Sequence, residues 1–499
     1  LASGDGSSGV VGSLVLPLFR DWSVKVGFPV ENFSHFNGPL VTDVDGDGLD
    51  DLGLDNHNTA GLEIWRQNRN RTFSRVLTAP KWIDSHGLAP HRFDANRSIT
   101  WILQTRGGSF GRSPTPPALI QISSSLGKGT PQTVHDQNPP FGLGQVLDQG
   151  RGAAFFDVDG DGHDDLFLAS EINNQSVNII YRNPGDARNW TLFANSTIHL
   201  AKCSHAMGLT DIDNDEILDI ICLFGGLITI LRGTGQFPEP FEEVTEWWLP
   251  EILQNLTGPG MPLSAVMELD YNNDGKMDLY LTCGANWFYN CNDILLKNTG
   301  SRFIDVSRDA QLPFGGNHAN EAAVADFNAD GFVDIFIPAF GLPETKPQPN
   351  FILLNRGDGT FETVSSHGVI APVNQSFQVG GAGGFMLHKS RMVDLIINFG
   401  PYGPWKYFKN HTPKSGNHVL VLHVTDTRSS SSVGARVEAW IGQSRQTRRV
   451  GWCSRLTQSV PRNVHFGLGN ATRVDRIQVY YVGGLVKVLR NVGAGFRRI

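Results

Sequence analysis

The clearest chemistry in this chain lies in carboxylates at fixed spacing. Asp43, Asp45, Asp47 and Asp51 occupy positions one, three, five and nine of a short segment, with Gly48 at position six. The pattern returns at Asp157, Asp159, Asp161 and Asp165, and again at Asp211, Asp213, Asp215 and Asp219, where Glu216 takes the glycine place. Two further copies carry an amide at position three: Asp270, Asn272, Asp274 and Asp278, then Asp326, Asn328, Asp330 and Asp334. Side-chain oxygens at these positions, with a main-chain carbonyl at position seven, can wrap a hard divalent cation. The position-seven carbonyls are those of Leu49, His163, Ile217, Lys276 and Phe332. Calcium takes six to eight such oxygens at ~2.3–2.6 Å, whereas magnesium keeps its waters and demands an octahedron. Carboxylates packed this closely repel one another unless a cation lies between them, and glycine at position six permits the sharp turn. The expectation is one calcium per loop, about five in all.

Two other readings of the loops are weaker. An EF-hand needs a bidentate glutamate at position twelve and flanking helices. Position twelve here is Leu54, Leu168, Cys222, Leu281 or Ile337. Aspartate and glycine are common in ordinary turns, but turn preference does not explain a third carboxylate and a fixed ninth.

The flanks say what must position these loops. Each ninth residue leads into a short apolar run, Leu52-Gly-Leu54, Leu166-Phe-Leu168, Ile220-Ile-Cys222, Leu279-Tyr-Leu281 or Ile335-Phe-Ile337, which reads as a buried strand. A second apolar run ending in a turn follows, as in Leu295-Leu-Lys-Asn298 and Leu353-Leu-Asn355. Two degenerate copies, from Asp94 and from Met386 to Asp394, fill the gaps in the spacing. Seven units result, each long enough for one four-stranded propeller blade. The two degenerate loops are expected to hold no ion.

Composition agrees. The 499 residues are 18% charged and include 56 glycines, which disfavours coiled coils and disordered polyelectrolytes. No run approaches the ~18 apolar residues of a membrane helix. The start at Leu1, without a leader, reads as a processed chain. The formal net charge of −8 hides a division. Residues 411–499 carry 14 basic and 3 acidic side chains, and the remainder is strongly acidic. The change falls at a Pro/Gly/Ser segment near residue 413, a boundary signal. The expected architecture is all-β: an N-terminal extended segment over residues 1–19, a seven-bladed β-propeller over 20–410, and a small antiparallel β domain over 411–499. The apolar stretch Val10–Phe19 is expected to complete a blade.

The acidic units resemble FG-GAP repeats, the blades of integrin alpha-chain propellers. The C-terminal segments Gly434-Ala-Arg-Val437, His465-Phe-Gly-Leu-Gly469 and Val474-Asp475-Arg-Ile477 resemble the ASPIC/UnbV domain, which follows such a propeller in the cartilage acidic protein 1 family. The family's usual W-P-S-G after the V-D segment is here Tyr481-Val-Gly-Gly484, and no counterpart of the cysteine-rich calcium-binding module of some relatives is expected. The resemblance implies an extracellular, non-enzymatic, calcium-binding protein of matrix or adhesive type.

Ten N-x-[ST] sequons, at Asn32, Asn70, Asn96, Asn174, Asn189, Asn195, Asn255, Asn374, Asn410 and Asn470, favour a secreted glycoprotein. Cys203 and Cys222 flank the third loop closely enough to bridge, and Cys283 and Cys291 close a short loop, leaving Cys453 odd. No G-x-S-x-G, H-E-x-x-H, Walker A or C-x-x-C motif is present. His465 reads as structural. Arg356-Gly-Asp358 spells an adhesion tripeptide inside an ordinary blade-ending turn. Arginine in the basic domain suits carboxylate or sulfate recognition. Its plainest use is docking on the acidic propeller. Partners would be an extracellular protein, an acidic glycan or further copies of the chain, with no nucleic acid and no membrane insertion. The alternatives are a self-assembling filament subunit and a glycan-binding, lectin-like or hydrolytic propeller.

Overall fold

In the computed structural model, the described residues are 15–28, 38–56, 61–80, 85–92, 99–106, 117–123, 133–135, 152–172, 175–176, 178–185, 190–193, 203, 206–224, 226–249, 263–284, 292–314, 321–338, 350–369, 382–386, 389–399, 403–413, 416–427, 431–454 and 457–499. They form an all-β, propeller-like molecule with one helical turn, Thr245–Trp248.

Before residue 411 the described strands gather into seven four-stranded antiparallel sheets and one two-stranded hairpin, Glu171–Ile172 with Gln175–Ser176. The first strands of the seven sheets, counted within each repeat unit, are Leu40–Thr42, Ser85–His91, Gly152–Phe156, Ala206–Thr210, Leu263–Leu269, Ala323–Ala325 and Ala382–Phe385. The second strand starts at the ninth loop residue in every acidic copy: Asp51–Leu54, Asp165–Ala169, Asp219–Phe224, Asp278–Cys283 and Asp334–Ile337. The register fixes the loop: Asp51 pairs with Thr42, Asp165 with Phe156, Asp219 with Thr210, Asp278 with Leu269 and Asp334 with Ala325. The loop is therefore the connection of a hairpin. Its apolar strands are covered on both faces by neighbouring sheets, which is why they read as continuous rather than alternating runs. Leu209, Ile220 and Leu231, for example, pack with Phe156, Phe167 and Ile180 of the preceding sheet.

The ring closes through the N-terminus. Phe19–Asp21 is the outer strand of the last sheet, with Phe19 opposite Asn410 and Asp21 opposite Phe408. Closure uses these three residues; positions 10–14 of the apolar N-terminal stretch lie outside the described residues.

The C-terminal region has its own core, including Leu420, Leu422, Val437, Phe466, Ile477 and Val479. One sheet runs Ser444–Arg449, Arg436–Ile441, Arg473–Tyr480, Val486–Gly493 and is antiparallel throughout. The other runs Asn463–Gly469, His418–His423, Gly495–Arg498. The expectation of a purely antiparallel domain is corrected here: His418–His423 and Gly495–Arg498 are parallel. The last strand turns directly out of Val486–Gly493 at Gly495, whose φ is 115°. It thereby crosses to the second sheet and enters it in the direction of its neighbour.

A third element of this region, the hairpin Trp452–Ser454 and Thr457–Ser459, enters the middle of the ring. It contacts the first strands of five sheets, which line the central opening. Gln458 works as a side-chain substitute for a strand, accepting from the Phe155 N–H at 2.9 Å and donating to the Phe155 carbonyl at 2.9 Å. The Ser459 hydroxyl accepts from the Val41 N–H at 3.0 Å and donates to the Pro39 carbonyl at 2.9 Å. Open strand edges inside the ring are thus satisfied by the chain itself.

Candidate metal centre

Each acidic loop is built by the same hydrogen bonds. The ninth carboxylate accepts from the second loop residue with one oxygen and from the end of the third strand with the other. In loop two, Asp165 takes Val158 N–H at 3.1 Å and Asn183 N–H at 2.7 Å. In loop three, Asp219 takes Ile212 N–H at 2.6 Å and Gly233 N–H at 2.7 Å. The first carboxylate accepts from the sixth N–H, as Asp157 does from Gly162 at 2.8 Å and Asp326 from Gly331 at 2.8 Å. The fifth accepts from the seventh N–H, as Asp47 does from Leu49 and Asp161 from His163, both at 2.9 Å. Gly46 and Gly48 have φ of 79° and 88°, a region closed to most side chains. Loop three reaches it with Asn214 and Glu216 instead, at 60° and 70°.

Positions one, three and nine converge. Asp43, Asp45 and Asp51 bring one oxygen each within 4.8 Å of one another, as do Asp157, Asp159 and Asp165, and Asp211, Asp213 and Asp219. Asp270, Asn272 and Asp278, and Asp326, Asn328 and Asp334, hold the same places in loops whose hydrogen bonds repeat the pattern. Asp47, Asp161 and Asp215 stand outside the triads, each with an oxygen on the seventh N–H. A buried oxygen of Asp213 has no hydrogen-bond partner.

Burial, reinforced by neighbouring carboxylates, disfavours ionisation. It pushes Asp45 up to about 6, with Asp47 and Asp43 adding to the effect. Asp157 rises to about 7 beside Asp164 and Asp161, and Asp165 to about 8 beside Asp159 and Asp161. Asp51, Asp219, Asp278 and Asp334 are pushed well up for the same reasons. Clustered oxygen donors, an unpartnered oxygen and carboxylates reluctant to ionise together fit a hard divalent cation at the carboxylate triads.

Residues 157–222, 211–281 and 270–337 match the FG-GAP-like repeat, and residues 425–497 match the ASPIC and UnbV domain. The chain is an FG-GAP propeller with a C-terminal ASPIC/UnbV domain. No curated protein matches it. Solved structures similar to it include an Agrocybe aegerita lectin that recognises non-reducing terminal N-acetylglucosamine, at 16% identity and TM-score 0.43, covering 80% of this chain and 96% of that one. A fungal alcohol oxidase of the AA5 family in complex with copper shows 10% identity and TM-score 0.48, covering 93% and 98%. The exotype rhamnogalacturonan lyase YesX shows 12% identity and TM-score 0.40, covering 79% and 76%. Likeness this distant carries nothing about chemistry.

The ASPIC/UnbV side of the molecule rests on all five acidic loops. Asn463 donates to Asp50 at 2.6 Å, and Ser431 to Asp164 at 3.2 Å. Arg436 bonds Glu216, and Arg445 bonds the Asp274 carbonyl. Asn417 donates to the Asn328 carbonyl at 3.1 Å. Arg449 lies 3.7 Å from Asp211 and bonds Glu268 at 3.0 Å. The basic domain docks on the acidic propeller, and the charge division in the sequence is the record of that contact. His465 is buried, its Nε2 2.9 Å from the Arg391 carbonyl.

Two features lie beyond the sequence motifs. In the seventh sheet Lys409 stands where a cation would, its ammonium 2.8 Å from both oxygens of buried Asp394. Adjacent FG-GAP units are stitched by an asparagine ending the third strand. Asn298 donates to the carbonyls of Met277 in its own unit and Ile212 in the preceding one. Asn355 and Asn410 repeat this with Val333 and Tyr271, and with Val393 and Phe327. The recurrence of asparagine at the end of the third strand in the last three sheets was the available signal.

The covalent expectations divide. Cys203 and Cys222 are disulfide-bonded. Cys283 is also disulfide-bonded, while Cys291 lies outside the described residues. Cys453 lies in the central hairpin, and its side chain is outside them too. Asn410 is corrected as a glycan acceptor: it is 4% exposed and its amide holds two carbonyls. Asn70 and Asn470 are exposed, and the other seven sequons lie outside the described residues. The turn at Arg356 and Asp358 is exposed, with Arg356 paired to Glu362 at 3.2 Å and Asp358 bonded to Thr360 at 2.6 Å. Among the described residues no helix is long and apolar enough to cross a membrane.

Proposed function

We propose that the chain is a secreted, calcium-binding glycoprotein that acts by binding, as an extracellular adhesion, matrix or assembly module, and not as an enzyme. The observation that carries this is the repeated convergence of carboxylates in the FG-GAP loops. The disulfide between Cys203 and Cys222 supports an oxidising compartment. The hairpin of the ASPIC/UnbV domain packs against the first strands of five sheets.

Calorimetric titration of chelator-treated protein tests the reading. About five calcium ions per chain should bind, and the thermal midpoint should rise with free calcium, because a ligand specific to the folded state stabilises it by about 2.7 kcal/mol at one hundred times its Kd. An unchanged midpoint in EDTA and in calcium would remove the metal reading.

A further inference from the structure

We infer that Val486–Gly493, the last strand of the four-stranded C-terminal sheet, is a docking edge for an extended acidic segment of another protein, which adds to it as a fifth strand. The inference rests on reading the chain as a binding module and names the class of partner.

The strand pairs with Arg473–Tyr480 on one side only, and its other edge has no strand beside it among the described residues. It carries no proline and pairs without a register shift; its regular edge runs over Val486–Arg490, and Asn491 then turns with φ of 57°. Exposed sheet edges of this kind are templates for a further strand, and natural proteins usually cover or interrupt them. Apolar side chains accompany the open edge: Val486 and Val488 are 44% and 46% exposed, and Leu485 just before them is 42% exposed.

Charge selects the occupant. Val486, Val488 and Arg490 alternate onto one face, beside Tyr480, Gln478 and Arg476 of the neighbouring strand. Arg490 and Arg476 stand directly opposite each other, a like-charged pair that weakens the sheet. The row continues through Trp440, with the Arg476 guanidinium 4.5 Å above its ring and that of Arg445 at 5.3 Å. Arg473, Arg476, Lys487, Arg490 and Arg498 have no ion-pair partner among the described residues. The acidic side chains of this domain are engaged elsewhere: Asp475 is bonded to the Gly442 N–H at 2.7 Å, Glu438 pairs with Arg436 and Arg445, and Asp426 pairs with Arg462 at 2.8 Å. A second copy of the same edge would set these cations against their own kind. An extended peptide with carboxylates alternating with apolar residues supplies the missing strand, covers Val486 and Val488, and places an anion by the Arg476–Arg490 pair. Arginine's planar fork favours carboxylates in that position.

The test uses the full chain in calcium and a fluorescein-labelled ten-residue peptide of alternating glutamate and valine, read by anisotropy. The peptide should bind saturably, more weakly as salt rises. Binding should fall at least tenfold in Val488→Glu/Arg490→Glu, whose exposed positions should leave the thermal midpoint unchanged. A lysine–valine peptide should not bind. No saturable binding, or equal binding to the variant, would overturn the proposal. Displacement of the peptide by a sulfated polysaccharide that binds more tightly through the same residues would replace it with a glycan site. A concentration-dependent dimer abolished by the variant would replace it with self-association. None of these results would touch the calcium reading, whose titration is independent.

Discussion

Calcium affinity in the second FG-GAP loop should depend steeply on pH. Burial holds Asp157 near 7 and Asp165 near 8, far above the ordinary carboxylate value of 3.8. At pH 6 the ion-free loop therefore carries a proton on both, and a cation must displace the two together. Linkage between these two sites makes binding roughly 500-fold weaker at pH 6 than at pH 8, a difference on the order of 3–4 kcal/mol. Stability of the chelated protein moves the opposite way. Carboxyl groups with raised folded-state pKa bind protons better folded than unfolded. Their contribution is complete below about pH 4 and is lost as pH climbs through 7 and 8. Chelated protein should thus unfold at lower urea as pH rises from 5 to 8, while the calcium-dependent increment grows over the same range. Titration calorimetry of a chain retaining only loop two, with Asn at the first and ninth positions of the other four, isolates the site. Repeating it in buffers of different ionisation enthalpy counts the protons released. Affinity that stays flat between pH 6 and 8, with no proton release, would refute the argument that the loop stores protons in place of metal.

Two further outcomes follow from buried contacts. Lys409→Met leaves Asp394 buried without its cation and should cost about 3–5 kcal/mol in urea unfolding, with calcium giving no rescue; adding Asp394→Asn should recover most of the loss. Gln458→Ala strips both hydrogen bonds from the main chain of Phe155 in the central opening and should cost about 2–4 kcal/mol, measured the same way. A loss below about 1 kcal/mol would mean that water reaches that strand and replaces the side chain.

The sequence was most informative where chemistry and geometry share a period. Positions one, three and nine of each loop are read straight from Asp43, Asp45 and Asp51, because the ligands of one ion lie within one hairpin. The apolar runs after Asp165 and Asp219 likewise announce strands buried on both faces. What stayed hidden depends on residues far apart in the chain. Arg449 reaches Glu268, and Gln458 reaches Phe155; nothing local to either marks the partner. Lys409 reads as a surface lysine because its acceptor, Asp394, lies across a hairpin rather than beside it. The parallel pairing of the last strand was illegible for a related reason: alternation shows that a strand exists, not the direction in which its neighbour runs.

The closed ring also constrains the order in which the molecule can be made. Phe19 waits for Asn410, and the Val41 N–H waits for Ser459, 418 residues later. A chain emerging from the ribosome can form hairpins as it lengthens, yet its first and last sheets keep unpaired edges until synthesis is nearly complete. Contacts so distant in sequence make late folding slow and leave intermediates open to mispairing. Truncation at the two ends should therefore produce different defects: loss of Phe19–Asp21 leaves the seventh sheet with an open outer edge, whereas loss of the hairpin at Thr457–Ser459 bares the main chain of Val41 and Phe155 inside the ring.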